Sequence, residues 1–256
     1  MNIRQTEILR LLEQRRTVSL AEIKSLFDVS EMTIRRDLSA LEEMGYVTRI
    51  HGGVTARVRL FFDSSFSQRE RQQVEQKRAI SRMAADLVQP GENVILDTGT
   101  TTLYLARELV RRQLVLTVAT TSLAVASTLF NSSIDVLIFG GFLRREIPDL
   151  VGPLTEKNLL EFHANKIFMG CDGLIPEEGF FTSDLNISSI EEKMVKNAER
   201  VIVLTDSTKF GKKSFVKYAG VESVDTVVTD SGVEPAAAAA LSARGVELLI
   251  TGQERR

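Results

Sequence analysis

From about residue 74 onward, short apolar runs with strand character alternate with runs of helical spacing, and that alternation constrains the fold of this chain more than any other feature. The candidate strands are Val94–Asp97, Leu114–Ala119, Val136–Phe139, Lys166–Met169, Val201–Leu204, Thr226–Thr229 and Glu247–Ile250. Helices are expected between them over 74–88, 102–111, 122–130, 153–162, 188–198 and 235–243. Strand and helix in regular turn predict an α/β domain with a mainly parallel sheet. No internal repeat interrupts the pattern, and the run Ala236–Ala240 reads as a plain helix segment.

The first third follows a different pattern. Ile8, Leu11 and Leu12 recur with helical spacing, as do Leu20, Ile23, Leu26 and Phe27. Ser19, with Glu22 three residues on, predicts a capping box at the start of the second helix. A break at Asp28-Val29-Ser30 leads to a third periodic run, Ile34, Leu38 and Leu41, with Gly45 placed as its C-cap. Tyr46–Ile50 reads as a strand that turns at Gly52-Gly53 into Val54-Thr55, a hairpin or wing. Between the two regions, residues 57–73 read as a polar linker, interrupted by Phe61, Phe62 and Phe66, aromatics expected to dock on a domain or a partner. The organisation predicted is therefore 1–56, a linker 57–73, and 74–256.

Composition narrows the function. The 256 residues carry 32 Lys and Arg against 34 Asp and Glu, with 43% hydrophobic residues, as an ordinary globular protein does. No apolar run approaches the roughly 20 residues that span a bilayer, so a cytoplasmic protein is expected. One cysteine, Cys171, excludes an internal disulfide, and with only His51 and His163 besides, neither a metal site nor a cofactor is expected. Residues 1–59 are mildly basic and the rest acidic, a bias too weak by itself to indicate nucleic acid.

The direction of the arginines carries more information. At about 100° per residue, Ile34, Leu38 and Leu41 share one face of the third helix, and Met32, Arg36, Ser39 and Glu43 fall near the opposite one. Arg36 points most directly outward, suited to phosphate or to the O6 and N7 of guanine. Thr33 and Ser39 offer hydroxyls, Met32 an apolar contact for a thymine methyl, and Arg35 a flank position for phosphate. Ser30 can cap the helix, whose free N–H groups also suit a phosphate. A solvated helix surface would show the same polar face, so the order of the pieces decides. Helix, capped helix, break, helix and Gly-Gly hairpin, with the strings Val29-Ser30, Thr33-Ile34-Arg35-Arg36-Asp37-Leu38 and Arg49-Ile50-His51-Gly52-Gly53, resemble the winged helix-turn-helix of the DeoR family of transcription regulators. That resemblance implies a double-stranded DNA partner, with Arg49 and His51 in the wing near the backbone. His51 reads equally as an exposed turn residue, and Asp37 as a structural partner of a neighbouring Arg.

In the second region, Thr98-Gly99-Thr100-Thr101-Thr102 follows a strand at Asp97 and opens a helix. A glycine for close approach, converging hydroxyls and unpaired N–H groups suit an anion there, although a simple helix cap would use the same residues. Thr120-Thr121-Ser122, Gly140-Gly141 and Cys171-Asp172-Gly173 follow strands in the same way, where open α/β sheets bind ligands. Asp97-x-Gly99-Thr100-Thr101, Gly140-Gly141, Asp172-Gly173 and Asp206–Phe210 resemble the DeoR C-terminal sensor domain, similar in fold to ribose-5-phosphate isomerase. The resemblance implies a phosphorylated sugar as effector and Lys209 as a partner for it; Thr121-Ser122 replaces the family's usual Thr-Asn. Glu192 falls at the isomerase general-base position, but the acidic loop and the lysine-glycine run of the isomerase are missing, so binding without turnover is expected rather than an enzyme. The reading is a homo-oligomeric (dimeric or tetrameric) regulator, a repressor of a carbohydrate-utilisation operon. The competing readings are an isomerase with an accessory N-terminal domain and a scaffold whose first helices bind protein.

Overall fold

The computed structural model describes residues 2–15, 17–27, 29–43, 46–50, 52–56, 64–144 and 147–253. The expectations for Asp28, Gly45, His51, Phe61 and Phe62 lie outside them. The chain divides into two compact units, Met1–Phe61 and Phe62–Arg256.

The first unit runs α1 (Ile3–Arg15), β1 (Thr17–Ser19), α2 (Leu20–Leu26), α3 (Glu31–Glu43), β2 (Val47–Ile50) and β3 (Gly53–Ala56). Ile8, Leu9 and Leu12 of α1, Ile23 of α2, and Ile34, Leu38 and Leu41 of α3 are buried together with Val18, Val47 and Val54. These are the apolar stripes that the helical spacing predicts. Leu26 is the exception, lying exposed. The capping box forms, with the Ser19 N–H donating to Glu22 Oε2 (3.0 Å) and the Glu22 N–H to Ser19 Oγ (3.1 Å). Strand β1 was not expected. It pairs antiparallel with β3, so the wing is a three-stranded sheet of order β1-β3-β2. Three residues carry too little periodicity to announce a strand; its partner lies some 36 residues away. Gly53 is the trace it leaves, because a Cβ there would stand 2.5 Å from the Val18 carbonyl oxygen.

The second unit begins with α4 (Ser64–Arg71) and α5 (Val74–Ala85), followed by β4 (Asn93–Leu96), α6 (Thr100–Arg111), β5 (Thr117–Thr120), α7 (Leu123–Leu129) and β6 (Asp135–Ile138). A short hairpin of β7 (Phe142–Leu143) and β8 (Leu150–Val151) precedes α8 (Pro153–Leu160) and β9 (Ala164–Met169). Then come β10 (Gly173–Ile175), β11 (Gly179–Thr182), α9 (Leu185–Lys196), β12 (Ala198–Leu204), β13 (Val216–Ala219), β14 (Thr226–Thr229), α10 (Pro235–Ser242) and β15 (Glu247–Ile250). All seven expected strands join one sheet, β15-β14-β12-β9-β4-β5-β6, parallel throughout. The strand period of two divides its side chains. Val94, Leu96, Phe168, Ile202 and Leu204 pack with α5, α6 and α7 on one face. Ile95, Ile167, Met169, Val201 and Val203 pack with α8, α9 and α10 on the other. This is an α/β fold with a two-sided sheet.

Besides the short β7–β8 hairpin, two features differ from the expectations. The residues read as a polar linker form α4 over part of their length, with Phe66 buried among α5 and α6 residues and Glu70 paired with Arg107 at 2.6 Å. A single aromatic with correct placement docks this otherwise polar helix. The second is an antiparallel sheet, β10-β11-β13, that the sequence did not suggest. Its central strand, Gly179-Phe180-Phe181-Thr182, is buried along its length and shows no alternation, and the flanking strands have only three and four residues.

Candidate nucleic-acid interface and effector cleft

In the first unit, α3 presents the residues singled out for DNA. Met32 is 80% exposed, and Arg36 is exposed and makes no hydrogen bond or ion pair among the described residues. Ser30 caps the helix, its hydroxyl accepting from the Thr33 N–H (3.3 Å) and lying 2.9 Å from Thr33 Oγ1. Arg35 is tied to Glu31 at 2.8 Å. Arg49 reaches back from β2: its Nη2 donates to the Arg35 carbonyl (2.8 Å) and to Ser39 Oγ, and its Nε pairs with Glu42 at 3.3 Å. Ser39 donates in turn to the Arg35 carbonyl (2.9 Å). Thus Ser39 and Arg49 are engaged with each other, joining wing to helix, while Arg36 and Met32 are exposed and unengaged among the described residues. Asp37 turns inward and is 6% exposed, accepting hydrogen bonds from Arg4, Asn2 (2.9 Å) and Gln5 (3.2 Å). Burial pushes its carboxyl up, but those bonds and the Arg4 charge outweigh it and hold the pKa below its ordinary value.

In the second unit, strand order places the candidate ligand site. Successive strands β4, β5 and β6 run to one side, and β9, β12, β14 and β15 to the other, so the direction reverses between β4 and β9. At such a switch point the loops leaving the two strands part and open a crevice at the strands' carboxyl ends. The loop after β4 is Asp97–Gly99, that after β9 is Gly170–Asp172, and the Gly170 N–H donates to Asp97 Oδ2 (3.1 Å). A cleft of about 400 Å³ opens there, within the range of small-molecule sites. Thr98 to Thr101 place the first turn of α6 in its wall; Thr205, Asp206, Thr208 and Lys209, after β12, form another side.

The cleft has two chemical characters. Lys77 and Lys209 stand near each other and near Asp206, and Lys77 donates to the Gln72 carbonyl (2.8 Å) at the start of α5. Burial lowers the Lys77 pKa to about 8, with the like charge of Lys209 adding to it and Asp206 opposing. Around Arg144 the lining is acidic. Arg144 is clasped by Asp149, fully buried, and by Asp184, the N-cap of α9. Burial raises the pKa of Asp97 to about 6 against the hydrogen bond that the Gly170 N–H donates to it. Burial raises Glu191 well above the usual carboxylate range, aided by the charges of Asp97 and Asp172. Burial likewise pushes the Cys171 thiol up to about 12, so it is no nucleophile at neutral pH.

Of the residues expected to meet an effector, the cleft gathers Asp97, Gly99, Thr100, Thr101, Asp172 and Lys209. Thr102, Thr121, Gly140, Gly141 and Gly173 do not line it. Thr102 is fully buried beneath the loop, its hydroxyl accepting from the Gly99 N–H (2.9 Å) and donating to the Asp97 carbonyl (2.7 Å). Thr121 lies 3.0 Å from Thr98 Oγ1 behind the first layer. Gly141 is needed for packing, since a Cβ would stand 2.0 Å from Thr155 Oγ1 and 2.7 Å from the Val151 carbonyl oxygen. Glu192 is exposed on α9, as a helix-surface charge is, and its neighbour Glu191 lines the cleft. The heptad-like spacing of Ile187, Ile190 and Met194, all buried, carried the signal that Glu191 lies on the inner face. Sequence reasoning also missed Arg69, Lys77, Arg144, Asp149 and Asp184, which come from elements far apart in the chain. Among the described residues no cluster of His, Cys, Asp and Glu has the arrangement of a metal site, and no helix is long and apolar enough to cross a membrane.

Comparison with known proteins agrees with this division. Residues 4–58 match the family profile of the DeoR-like helix-turn-helix domain, and residues 72–231 that of the DeoR C terminal sensor domain. The uncharacterized HTH-type transcriptional regulator YulB of Bacillus subtilis (strain 168) is 34% identical over 254 residues, covering 99% of this chain and 98% of that one. The HTH-type transcriptional repressor GlcR of the same organism is 34% identical over 252 residues (98% and 96%). The HTH-type transcriptional repressor CsqR of Escherichia coli (strain K12) is 29% identical over 254 residues (99% and 97%). Among solved structures, ribose 5-phosphate isomerase A of Methanocaldococcus jannaschii is similar at 20% identity with a TM-score of 0.40, over 54% of this chain and 55% of that chain. With both family profiles matched in order and relatives aligned end to end, this chain belongs to the DeoR family of DNA-binding transcription regulators.

Proposed function

We propose that the protein is a repressor of a carbohydrate-utilisation operon whose hold on its operator is released or modulated when a phosphorylated sugar occupies the cleft of the second unit. What supports this most is the composition of the cleft. The N–H groups and hydroxyls of the first turn of α6, with Lys77 and Lys209, suit a phosphate, while the carboxylates about Asp97 suit sugar hydroxyls. Two relatives, GlcR and CsqR, are named as transcriptional repressors.

On the DNA side, Arg36, Met32 and Thr33 would reach base edges, and Arg35, Ser30 and His51 the backbone. Ser39 and Arg49 would contribute by holding helix and wing together, given their mutual bonds. A single head buries limited surface, so a dimer or tetramer pairing two heads on one operator would supply useful affinity. Occupancy of the cleft can shift that placement only by the effector's difference in affinity between the two states.

The test is a screen of sugar phosphates by thermal shift, followed by titration of the protein–operator complex with whatever binds. A ligand of the native state must raise its stability. Thr100→Ala and Lys209→Ala are expected to require about tenfold more effector for the same DNA release, as loss of one charge-assisted or neutral phosphate contact implies. Release at unchanged effector concentration in both variants would reject the phosphate position.

A further inference from the structure

Two carboxyl groups in the cleft lack the partners that buried polar atoms require. Asp97 is 3% exposed and Glu191 5% exposed, and both line the cleft. Among the described residues, neither Asp97 Oδ1 nor Glu191 Oε2 has a hydrogen-bond partner. Folded proteins satisfy nearly all such atoms, so two orphans beside one opening point to groups that arrive with a ligand. Asp97 is held in place by the Gly170 N–H, which donates to Oδ2 (3.1 Å), and Thr182 lines the cleft with Glu191.

The two acids come from different elements, the end of β4 and the middle of α9, and Asp97 lies near enough for its charge to act on Glu191. Both cannot ionise cheaply when so deeply buried, and burial together with the Asp97 and Asp172 charges favours the neutral form of Glu191. The arrangement offers a hydrogen-bond acceptor and, close by, a carboxyl able to donate.

We propose that Asp97 and Glu191 form a hydroxyl-reading subsite, which selects a phosphorylated sugar or polyol through neutral hydroxyl groups placed against them and disfavours the deoxy or amino analogue. This rests on the reading of the cleft as the effector site. A hydroxyl donates one hydrogen bond and accepts others, so it serves a carboxylate and a protonated carboxyl together. An ammonium only donates, so it leaves the proton of the neutral Glu191 carboxyl without an acceptor. The nearby Arg144 guanidinium, clasped by Asp149 and Asp184, opposes the rise at Glu191 only as the smallest of the influences on it.

The test is calorimetric titration of the full chain with inorganic phosphate, a set of five- and six-carbon sugar phosphates, and the monodeoxy and amino analogues of the tightest binder. At least one monodeoxy analogue is expected to bind about tenfold or more weakly, the loss that follows from leaving a buried group unpaired. In Glu191→Met that penalty or its Asp97 counterpart in Asp97→Leu is expected to fall below about threefold, whereas Glu191→Gln, which still hydrogen-bonds, keeps most of it. The wild-type series decides even if a variant fails to fold. A flat monodeoxy series, an amino analogue that binds tighter than its parent, or a penalty untouched by every variant would overturn the subsite while leaving the effector reading intact. Failure of every phosphate compound to bind would overturn both.

Discussion

Replacing Asp37 by alanine should destabilise the helix-turn-helix unit while leaving the exposed side of α3, with Arg36, untouched. Among the described residues, Asp37 is the carboxylate through which the N-terminal residues Asn2, Arg4 and Gln5 are fastened to that helix. Its removal forfeits a charge-assisted bond of about 1.5–3 kcal/mol and two further bonds, and strands the buried Gln5 amide. Arg4 regains water in part, being 24% exposed, which holds the total to about 3 kcal/mol. At about 0.05–0.15 kcal/mol per residue, a unit the size of Met1–Phe61 is stable by only about 3–9 kcal/mol. The loss is thus a third or more of the whole, equivalent to a fall in Tm of about 12–24 °C for that unit. Hydrogen exchange of the full-length protein, followed in peptides covering α1 and α3, measures it: protection there should drop by about a hundredfold, with peptides of the parallel sheet unchanged. Operator binding should weaken when warm and recover on cooling. Because the folded pKa of Asp37 is lowered, its contribution is complete above the unfolded value of about 3.9 and is lost as pH falls through the folded one. Unchanged protection combined with weakened DNA binding at every temperature would refute this anchoring role and place Asp37 at the DNA instead.

Arg36→Ala should weaken operator binding about tenfold to a hundredfold with no change in thermal stability, as loss of an outward guanidinium contact implies; an electrophoretic shift titration on the promoter of the neighbouring operon checks it. Gly141→Ala should lower the stability of the second unit by about 1–3 kcal/mol through overpacking against Thr155 and Val151, read by denaturant unfolding. The raised pKa of Asp97 means that the folded state holds a proton the unfolded chain has lost between about pH 4 and 6, so this group's stability contribution falls as pH rises through that window and then levels. Asp97→Asn should flatten that part of the pH–stability curve; an unchanged profile would show that another acid sets it.

Much of the fold was legible because periodicity is local. The seven strands of the sheet, and the inward faces of α1, α2 and α3, follow from spacing that any window of a dozen residues displays. Helix bounds moved where a side chain intervened: α9 starts at Leu185 rather than 188 because the Asp184 carboxylate caps it by accepting from the Asn186 N–H (2.8 Å). The linker shortened because one residue, Phe66, found a pocket, and nothing local distinguishes a phenylalanine that will dock from one that will not.

By itself, then, the sequence determined the two-part organisation, the parallel α/β sheet, the helix that presents Arg36, and the glycine-threonine turn after Asp97, since each is written in neighbouring residues. Only the tertiary structure decided which strands meet at the switch point, that Arg69, Lys77, Arg144 and Glu191 close around that turn, and that Gly141 and Thr102 serve packing. Such neighbours are brought together by strand order and burial, and those depend on contacts between residues tens of positions apart, which no local pattern records.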